Sequence, residues 1–290
     1  MKKKMLVIVN PVSGVGRQKN IESLLSSHLD HDLFDHHIVY TEHEHHGTTL
    51  TRDAADEGYD IVVAVGGDGS VNDIVQGLRG TSLALGIIPC GSGNGLARTL
   101  EIPLSPTKAI QRLGHSQART IDAILINDKT LSVNASGVGF DAHLARLMKL
   151  AKHRGMAAYT SLFLREYTSY PSASYTITVD GQAIVRNAWI MAIANSRQYG
   201  NNLIIAPKAH VDDGLMDLSI IDKIPLDHLA ITAPLAFSGH LDHSQHAEMY
   251  QARDIVVEGN VGSWVNVDGE AMKIGAPLRF AIQPGAITIM

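Results

Sequence analysis

The chain of 290 residues contains a single cysteine, Cys90, which excludes an internal disulfide and any cysteine-based zinc cluster. A reducing cytoplasm suits that composition. Basic residues are not in excess. The formal net charge is −5, whereas a general nucleic-acid binder would need a surplus of Lys and Arg. No apolar run approaches the roughly 20 residues needed to span a bilayer. Met1-Lys2-Lys3-Lys4 has the charge of a signal-peptide start, but the apolar run behind it breaks at Asn10-Pro11, too early for an h-region. It is read instead as the polar entry to a first strand. Internal repeats and low-complexity linkers are also lacking.

What is present is a hydrophobic run that ends in glycines. Ile61-Val62-Val63-Ala64-Val65 has the composition of a parallel strand buried on both faces, and Gly66-Gly67-Asp68-Gly69-Ser70-Val71-Asn72-Asp73 follows it, with Ser70 and Asn72 suited to starting a helix. Glycines let backbone N–H groups approach phosphate oxygens, and a helix N-terminus favours their charge. Asp68 then requires a cation or an acidic proton as partner. Two segments repeat the pattern of strand, small-residue loop and helix: Met5–Val9 with Asn10-Pro11-Val12-Ser13-Gly14, and Leu83–Ile88 with Pro89-Cys90-Gly91-Ser92-Gly93-Asn94. Parallel strands deliver their C-terminal ends to one sheet edge, so the three loops are expected to converge there.

None of these loops carries the Gly-x-x-x-x-Gly-Lys-Ser/Thr or dinucleotide-binding signature. Taken together with the late Val267-Asp268-Gly269-Glu270, the segments Asn10-Pro11-x-Ser13-Gly14, Gly66-Gly67-Asp68-Gly69-Ser70-x-Asn72 and Pro89-x-Gly91-Ser92-Gly93-Asn94 resemble the diacylglycerol kinase catalytic family, which includes bacterial lipid kinases and the sphingosine and ceramide kinases. Gly-Gly-Asp-Gly alone is shared with NAD kinases and phosphofructokinases. The combination is more specific and spans nearly the whole chain. Many bacterial diacylglycerol kinases carry Gly-Thr-x-Asn-Asp in the third loop, and the Gly-Ser-Gly-Asn form here is closer to the sphingosine and ceramide branch.

The resemblance implies ATP and Mg2+ as cofactors. ATP would be held by Asn10, Pro11, Ser13, Gly14, Thr41, Gly66, Gly67, Asp68, Gly69, Ser70, Asn72 and Ser92, with Arg17 either adding charge near the phosphates or simply solvated. Asp268 and Glu270 are the leading proton acceptors, and Asp68 organises Mg2+ and the acceptor hydroxyl; Asp268-Gly269 equally fits an ordinary hairpin turn. A structural Mg2+ is implied at the Asp213 carboxylate and the carbonyls of His210 and Leu215, a hard-cation donor set. Asp141 is expected either to meet the acceptor's polar head or to cap a helix.

The fold class expected is α/β plus β. Up to about residue 115 strands and helices alternate: strand 4–9, helix 17–29, strand 36–41, helix 47–58, strand 60–65, helix 70–79, strand 83–88, helices 92–100 and 106–113. Later the period becomes two, with Asp180-Gly181 as a hairpin signal and strands at 185–195, 215–222, 253–258, 263–267 and 278–282. The family pairs a Rossmann-like, phosphofructokinase-like domain with an antiparallel β-sandwich. The domains are accordingly set at 1–117, with 277–290 returning, and 118–276. A cationic helix over 144–156 either rests on an anionic membrane or packs as a solvated face. The fifteen histidines fit no zinc motif and are read as surface residues.

The function expected is an ATP- and Mg2+-dependent lipid kinase acting on a diacylglycerol-like or sphingoid lipid. It would visit the membrane from the cytoplasm as a peripheral protein, without nucleic acid and with a homodimer as an option. A soluble-substrate kinase such as NAD kinase and a non-catalytic nucleotide or lipid sensor are the alternatives.

Overall fold

In a computed structural model the apolar runs become strands of two units, Met1–Ile121 with Gly285–Met290, and Asp122–Pro284. The structure describes all residues except Met1, Gly14, Val15, 152–155, Asn260, Val261 and Ser263; of Arg17, Met156 and Ala157 only the backbone is described.

The first unit runs β1 (Lys3–Val9), α1 (Ile21–His28), β2 (Phe34–Tyr40), α2 (His46–Asp56), β3 (Ile61–Gly66), α3 (Asp68–Leu78), β4 (Ala84–Pro89), α4 (Gly95–Thr99) and α5 (Pro106–His115). The strands are parallel in the order β2-β1-β3-β4. Every residue of β3 and β4 is buried, which explains their composition of Val, Ile, Leu and Ala with no polar side chain. Helices α2 and α3 pack together, as do α1 and α5. Strand β2 forms the edge and is half exposed. There His36 faces partly inward, its pKa lowered by burial and by His31, while the exposed His37 ring lies 2.7 Å from the Tyr59 hydroxyl.

The second unit contains β5 (Arg119–Ile126, beginning in the first unit), β6 (Thr130–Ser132), β7 (Ala135–Gly139), α6 (Phe140–Leu150), α7 (Met156–Tyr167), β8 (Ala173–Val179), β9 (Gln182–Ala188) and β10 (Ile190–Ala194). It continues with β11 (Gln198–Gly200), β12 (Leu203–Ile204), β13 (Met216–Ile221), α8 (Leu226–Ser238), β14 (Ala247–Ala252), β15 (Asp254–Gly259), β16 (Trp264–Val267), β17 (Glu270–Lys273) and β18 (Leu278–Ile289). One antiparallel layer pairs β9-β8-β15 with the start of β18; the other runs β14-β13-β10-β7-β16-β17. Ile177, Val257 and Phe280 of the first layer share a core with Met191, Leu218 and Val265 of the second, so the unit is a β-sandwich. A doubly wound α/β unit followed by an antiparallel sandwich is the fold class expected.

Several expectations are corrected. The return to the first unit begins at Gly285, not 277, because 278–281 pair with β15 and only Thr288 and Ile289 pair with β4. The strand expected over 185–195 breaks at Trp189, and its halves join different layers. Trp189 donates its N–H to the Ile221 carbonyl, accepts from the Phe140 N–H, and stacks on the Phe140 ring at 4.0 Å. The helix expected over 144–156 ends as α6 at Leu150, and the part over 152–155 falls outside the described residues. Helices α7 and α8 were not expected. Both contribute to an aromatic cluster around Phe140, Tyr167 and Trp189, which a period-two reading does not register.

Asp180 and Gly181, at φ 45° and 83°, form the two-residue turn between β8 and β9 expected from their sequence. The Asp180 carboxylate also accepts from the Arg253 and Asp254 N–H groups, both at 2.9 Å. A Cβ on Gly181 would meet nothing within 4 Å. Gly181→Ala should therefore cost only the left-handed backbone strain, about 1 kcal/mol, read as a lowered urea midpoint without a change in m.

Candidate active site

Register sets the first cluster. Val9 pairs with Val65, and Val65 with Ile88, so β1, β3 and β4 end level and release three loops at one edge. Asn10 ties the first loop to the second, donating from Nδ2 to Ser70 Oγ at 3.0 Å and accepting the Val12 N–H at 3.1 Å. The Ser13 N–H donates back to the Asn10 carbonyl. Gly66 ends β3, Gly67 is the extended cap residue of α3, and Asp68 is the first helical residue. The helix thus starts two residues before Ser70, with Gly69 inside its first turn, where a carboxylate complements the helix dipole. Gly67 offers no side chain to the first N–H groups.

The third loop is closed by Asn94, whose Nδ2 donates to the Gly91 carbonyl at 2.8 Å while Oδ1 accepts the Gly91 N–H at 3.0 Å. This brace occupies residues expected to be helical, so α4 covers only Gly95–Thr99 instead of 92–100. Asp68 Oδ1 accepts the Gly95 N–H at 2.7 Å, joining the second and third loops. Their backbones touch, and a Cβ on Gly91 would lie 2.4 Å from Gly67 Cα. These two glycines thus permit loop-on-loop packing, a role the sequence did not reveal.

The remaining expected nucleotide residues divide. Thr41, at the end of β2, lines a small cleft with Asn10 and Ser70. Pro11 and Ser92 are exposed, whereas Asn72 is buried within α3 and accepts from Gln76 Nε2 at 3.1 Å. Gly14 and the Arg17 side chain lie outside the described residues. Asp73, in the same motif, caps α2 by accepting the Gly47 N–H (2.8 Å), Thr48 N–H (3.2 Å) and Thr48 hydroxyl (2.6 Å).

The second cluster lies in the sandwich. Asp268 and Gly269, at φ 50° and 92°, form the two-residue turn between β16 and β17, with Val267 opposite Glu270. The hairpin turn is therefore real, and it fixes a carboxylate. Asp268 is 2% exposed and accepts from the Ser132 hydroxyl at 2.6 Å, the Val133 N–H at 2.9 Å and the Asn134 N–H at 3.0 Å. Glu270 begins β17 and is half-buried.

Asn266 links this turn to Asp141, its Oδ1 accepting the Gly269 N–H at 2.9 Å and its Nδ2 donating to Asp141 Oδ2 at 3.2 Å. The Tyr199 hydroxyl donates to the same oxygen at 2.8 Å, and the Ala142 N–H to Oδ1 at 2.7 Å. Asp141 is the second residue of α6; the cap residue is Gly139, so the capping alternative does not hold. Burial pushes the Asp141 carboxyl up to about 6 against these hydrogen bonds, and burial together with the Asp141 charge pushes the Tyr199 and Tyr159 hydroxyls up. Asn266 and Tyr199 were missed by sequence reasoning. Asn266 left a trace as the lone polar residue of an apolar strand; Tyr199 left none.

In the segment expected to hold a structural Mg2+, Asp213 is exposed and accepts the Leu215 N–H at 3.0 Å. The segment is anchored by buried Asp122, unremarked in the sequence, which accepts the Gly214 N–H at 2.7 Å and donates its own N–H to the Val211 carbonyl. His210 is exposed. Among the described residues no group of three or more His, Cys, Asp or Glu side chains converges as a metal site.

Comparison with known proteins gives two matches that divide a few residues beyond Ile121, and the second runs on through Gly285–Met290. Residues 4–126 match the family described as "Diacylglycerol kinase catalytic domain", and 134–290 match "YegS C-terminal NAD kinase beta sandwich-like domain". A Pseudomonas aeruginosa protein named "Probable lipid kinase YegS-like" is 32% identical over 243 residues, covering 83% of this chain and 79% of the relative. The chain belongs to the diacylglycerol kinase family. It is a kinase. Further members include a Mycobacterium tuberculosis diacylglycerol kinase, 27% identical over 99% of this chain and 94% of the relative, and a Bacillus subtilis diacylglycerol kinase, 28% identical over 92% and 90%. A crystal structure of a Bacillus anthracis diacylglycerol kinase superposes with a TM-score of 0.76 at 21% identity, covering 99% of this chain and 96% of that one, a likeness of fold.

Two outcomes follow. Gly91→Ala should lower unfolding free energy by about 1–3 kcal/mol in urea titrations, since backbone opposes the new methyl. Asp141, raised from 3.8 to about 6, binds its proton more tightly when folded, so its contribution declines as pH rises between those values and above them costs on the order of 3 kcal/mol. Unfolding free energies of wild type and Asp141→Asn should therefore diverge in the variant's favour from about pH 4 to 6; parallel curves would exclude a raised carboxyl.

Proposed function

We propose that the chain is an ATP- and Mg2+-dependent lipid kinase that transfers the γ-phosphate to a hydroxyl of a diacylglycerol-like or sphingoid lipid. The observation that carries the reading is the convergence of three small-residue loops on the N-terminal turn of α3, with Asp68 in that turn. Its fit to a nucleotide rests on chemistry present there: an α3 N-terminus without a side-chain cap, the Asn10 amide, and the hydroxyls of Ser13, Thr41 and Ser70. A carboxylate in the same turn repels bare phosphate, so a nucleotide carrying Mg2+ is the species it accommodates. Bound Mg-ATP supplies the γ-phosphoryl group and neutralises its charge.

The carboxylates then take separate roles. Asp68, already accepting the Gly95 N–H, orients the cation and the acceptor hydroxyl. Asp268 has its oxygens engaged by the Ser132 hydroxyl and the Val133 and Asn134 N–H groups, and its role is to position the turn. Proton acceptance is assigned to Glu270, the next carboxylate, half-buried at the start of β17. Asp141 faces the acceptor's polar head. Asp213, with the carbonyls of His210 and Leu215, suits a hard cation whose role is structural. Phosphoryl transfer demands mainly positioning and charge neutralisation, which matches a set of residues fixed by backbone hydrogen bonds.

The test is transfer of labelled γ-phosphate from Mg-ATP to diacylglycerol, monoacylglycerol, ceramide, sphingoid bases and NAD in mixed micelles. Label should enter one lipid class. Asp68→Ala and Glu270→Gln should each lower kcat by about a hundredfold or more, whereas Asp268→Asn should lose activity together with thermal stability. Label in NAD alone would overturn the lipid reading.

A further inference from the structure

Within the sandwich unit one surface combines cations, an indole and an exposed apolar side chain. Arg146, Lys149 and Leu150 stand three and four residues apart on α6, hence on one face of the helix, and all three are exposed, Leu150 at 71%. Trp264, half-buried at the start of β16, lies between two cations: the Arg146 guanidinium is 5.8 Å from its ring centroid and Lys273 Nζ is 5.3 Å. Lys273 also lines an open groove with Lys129. An acidic neighbour is Asp128, exposed beside Lys129 and acting also on Arg279. On a chain of net charge −5 this is a local concentration of positive charge.

We propose that this surface docks the protein on a bilayer containing anionic phospholipid, an inference that rests on the lipid-kinase reading. Charge complementarity argues for the occupant. A free anion would need the cations alone, whereas indole and leucine beside them match the layered chemistry of a membrane: headgroup phosphate for Lys129, Lys273 and Arg146, the interface for Trp264, and the acyl boundary for Leu150. No helix of the described residues is long and apolar enough to cross a membrane, so contact of this kind has to be made from one side. Lys273 lies three residues beyond Glu270 on β17, which directs the two side chains to opposite faces.

The test uses the full chain with vesicles of phosphatidylcholine alone or mixed with phosphatidylglycerol. Wild type should sediment with the mixed vesicles at least about tenfold more tightly, and added salt should weaken that binding. Emission should shift to the blue on binding; Trp189 is 2% exposed, so Trp264 reports, and Trp264→Phe should abolish the shift. Lys129→Glu with Lys273→Glu should reduce vesicle binding about tenfold at an unchanged thermal midpoint, and Lys273→Gln, a milder change, should move the same way. Equal binding to both vesicle types, or charge-reversed protein that binds like wild type, overturns the proposal. A water-soluble short-chain diacylglycerol separates the two readings. Failure of wild type to phosphorylate any lipid removes the lipid-kinase reading, while a variant active on soluble lipid and about tenfold impaired on vesicle-borne lipid supports docking.

Discussion

The level register of β1, β3 and β4 is the constraint from which the first cluster follows. Val9, Val65 and Ile88 stand side by side, so the residues beyond them leave the sheet together. A slip of one residue would turn every side chain of a strand to the other face. Burial of both faces leaves no relaxed alternative. From that alignment come the Asn10–Ser70 and Asp68–Gly95 hydrogen bonds and the backbone contact of Gly67 with Gly91. The loops are positioned by one another, and their small residues serve packing as much as chemistry.

Three buried or part-buried carboxylates illustrate how environment divides identical groups. Asp268 accepts from the Ser132 hydroxyl and from two backbone N–H groups. Asp141 also accepts three hydrogen bonds, yet burial pushes it up to about 6. Asp68 accepts the Gly95 N–H at 2.7 Å in the first turn of a helix, where the dipole contributes. Asn266 couples two of these settings, since its amide reaches both the Asp268-Gly269 turn and Asp141.

The α/β half was legible because its signals are local: a buried parallel strand is an unbroken apolar run, and its loop begins where the apolar residues stop. Asp180-Gly181 was legible for the same reason, as both residues accept positive φ. What escaped depends on contacts distant in sequence. Trp189 splits a strand because the Ile221 carbonyl, Phe140 and Tyr167 hold it there. Asp122 anchors a segment more than eighty residues away, as its bond to Gly214 shows. Tyr199 becomes a partner of Asp141 only after the fold brings them together. Motif residues could be named from sequence; Trp189, Asp122 and Tyr199, whose partners are distant in the chain, could not.

Strand β18 begins among the partners of β15 and ends beside β4, where Met290 adds a hydrogen bond to the Leu85 carbonyl and accepts one from Arg112. A ribosome makes the chain in order, so the outer edge of β4 stays unpaired while the entire sandwich is being synthesised. The nascent α/β unit must pass through that interval with an exposed strand edge, the kind of surface that recruits chaperones or mispairs with neighbouring chains. The stitch that completes the first unit is translated after the sandwich, which makes completion of the first unit a report that the second has been made.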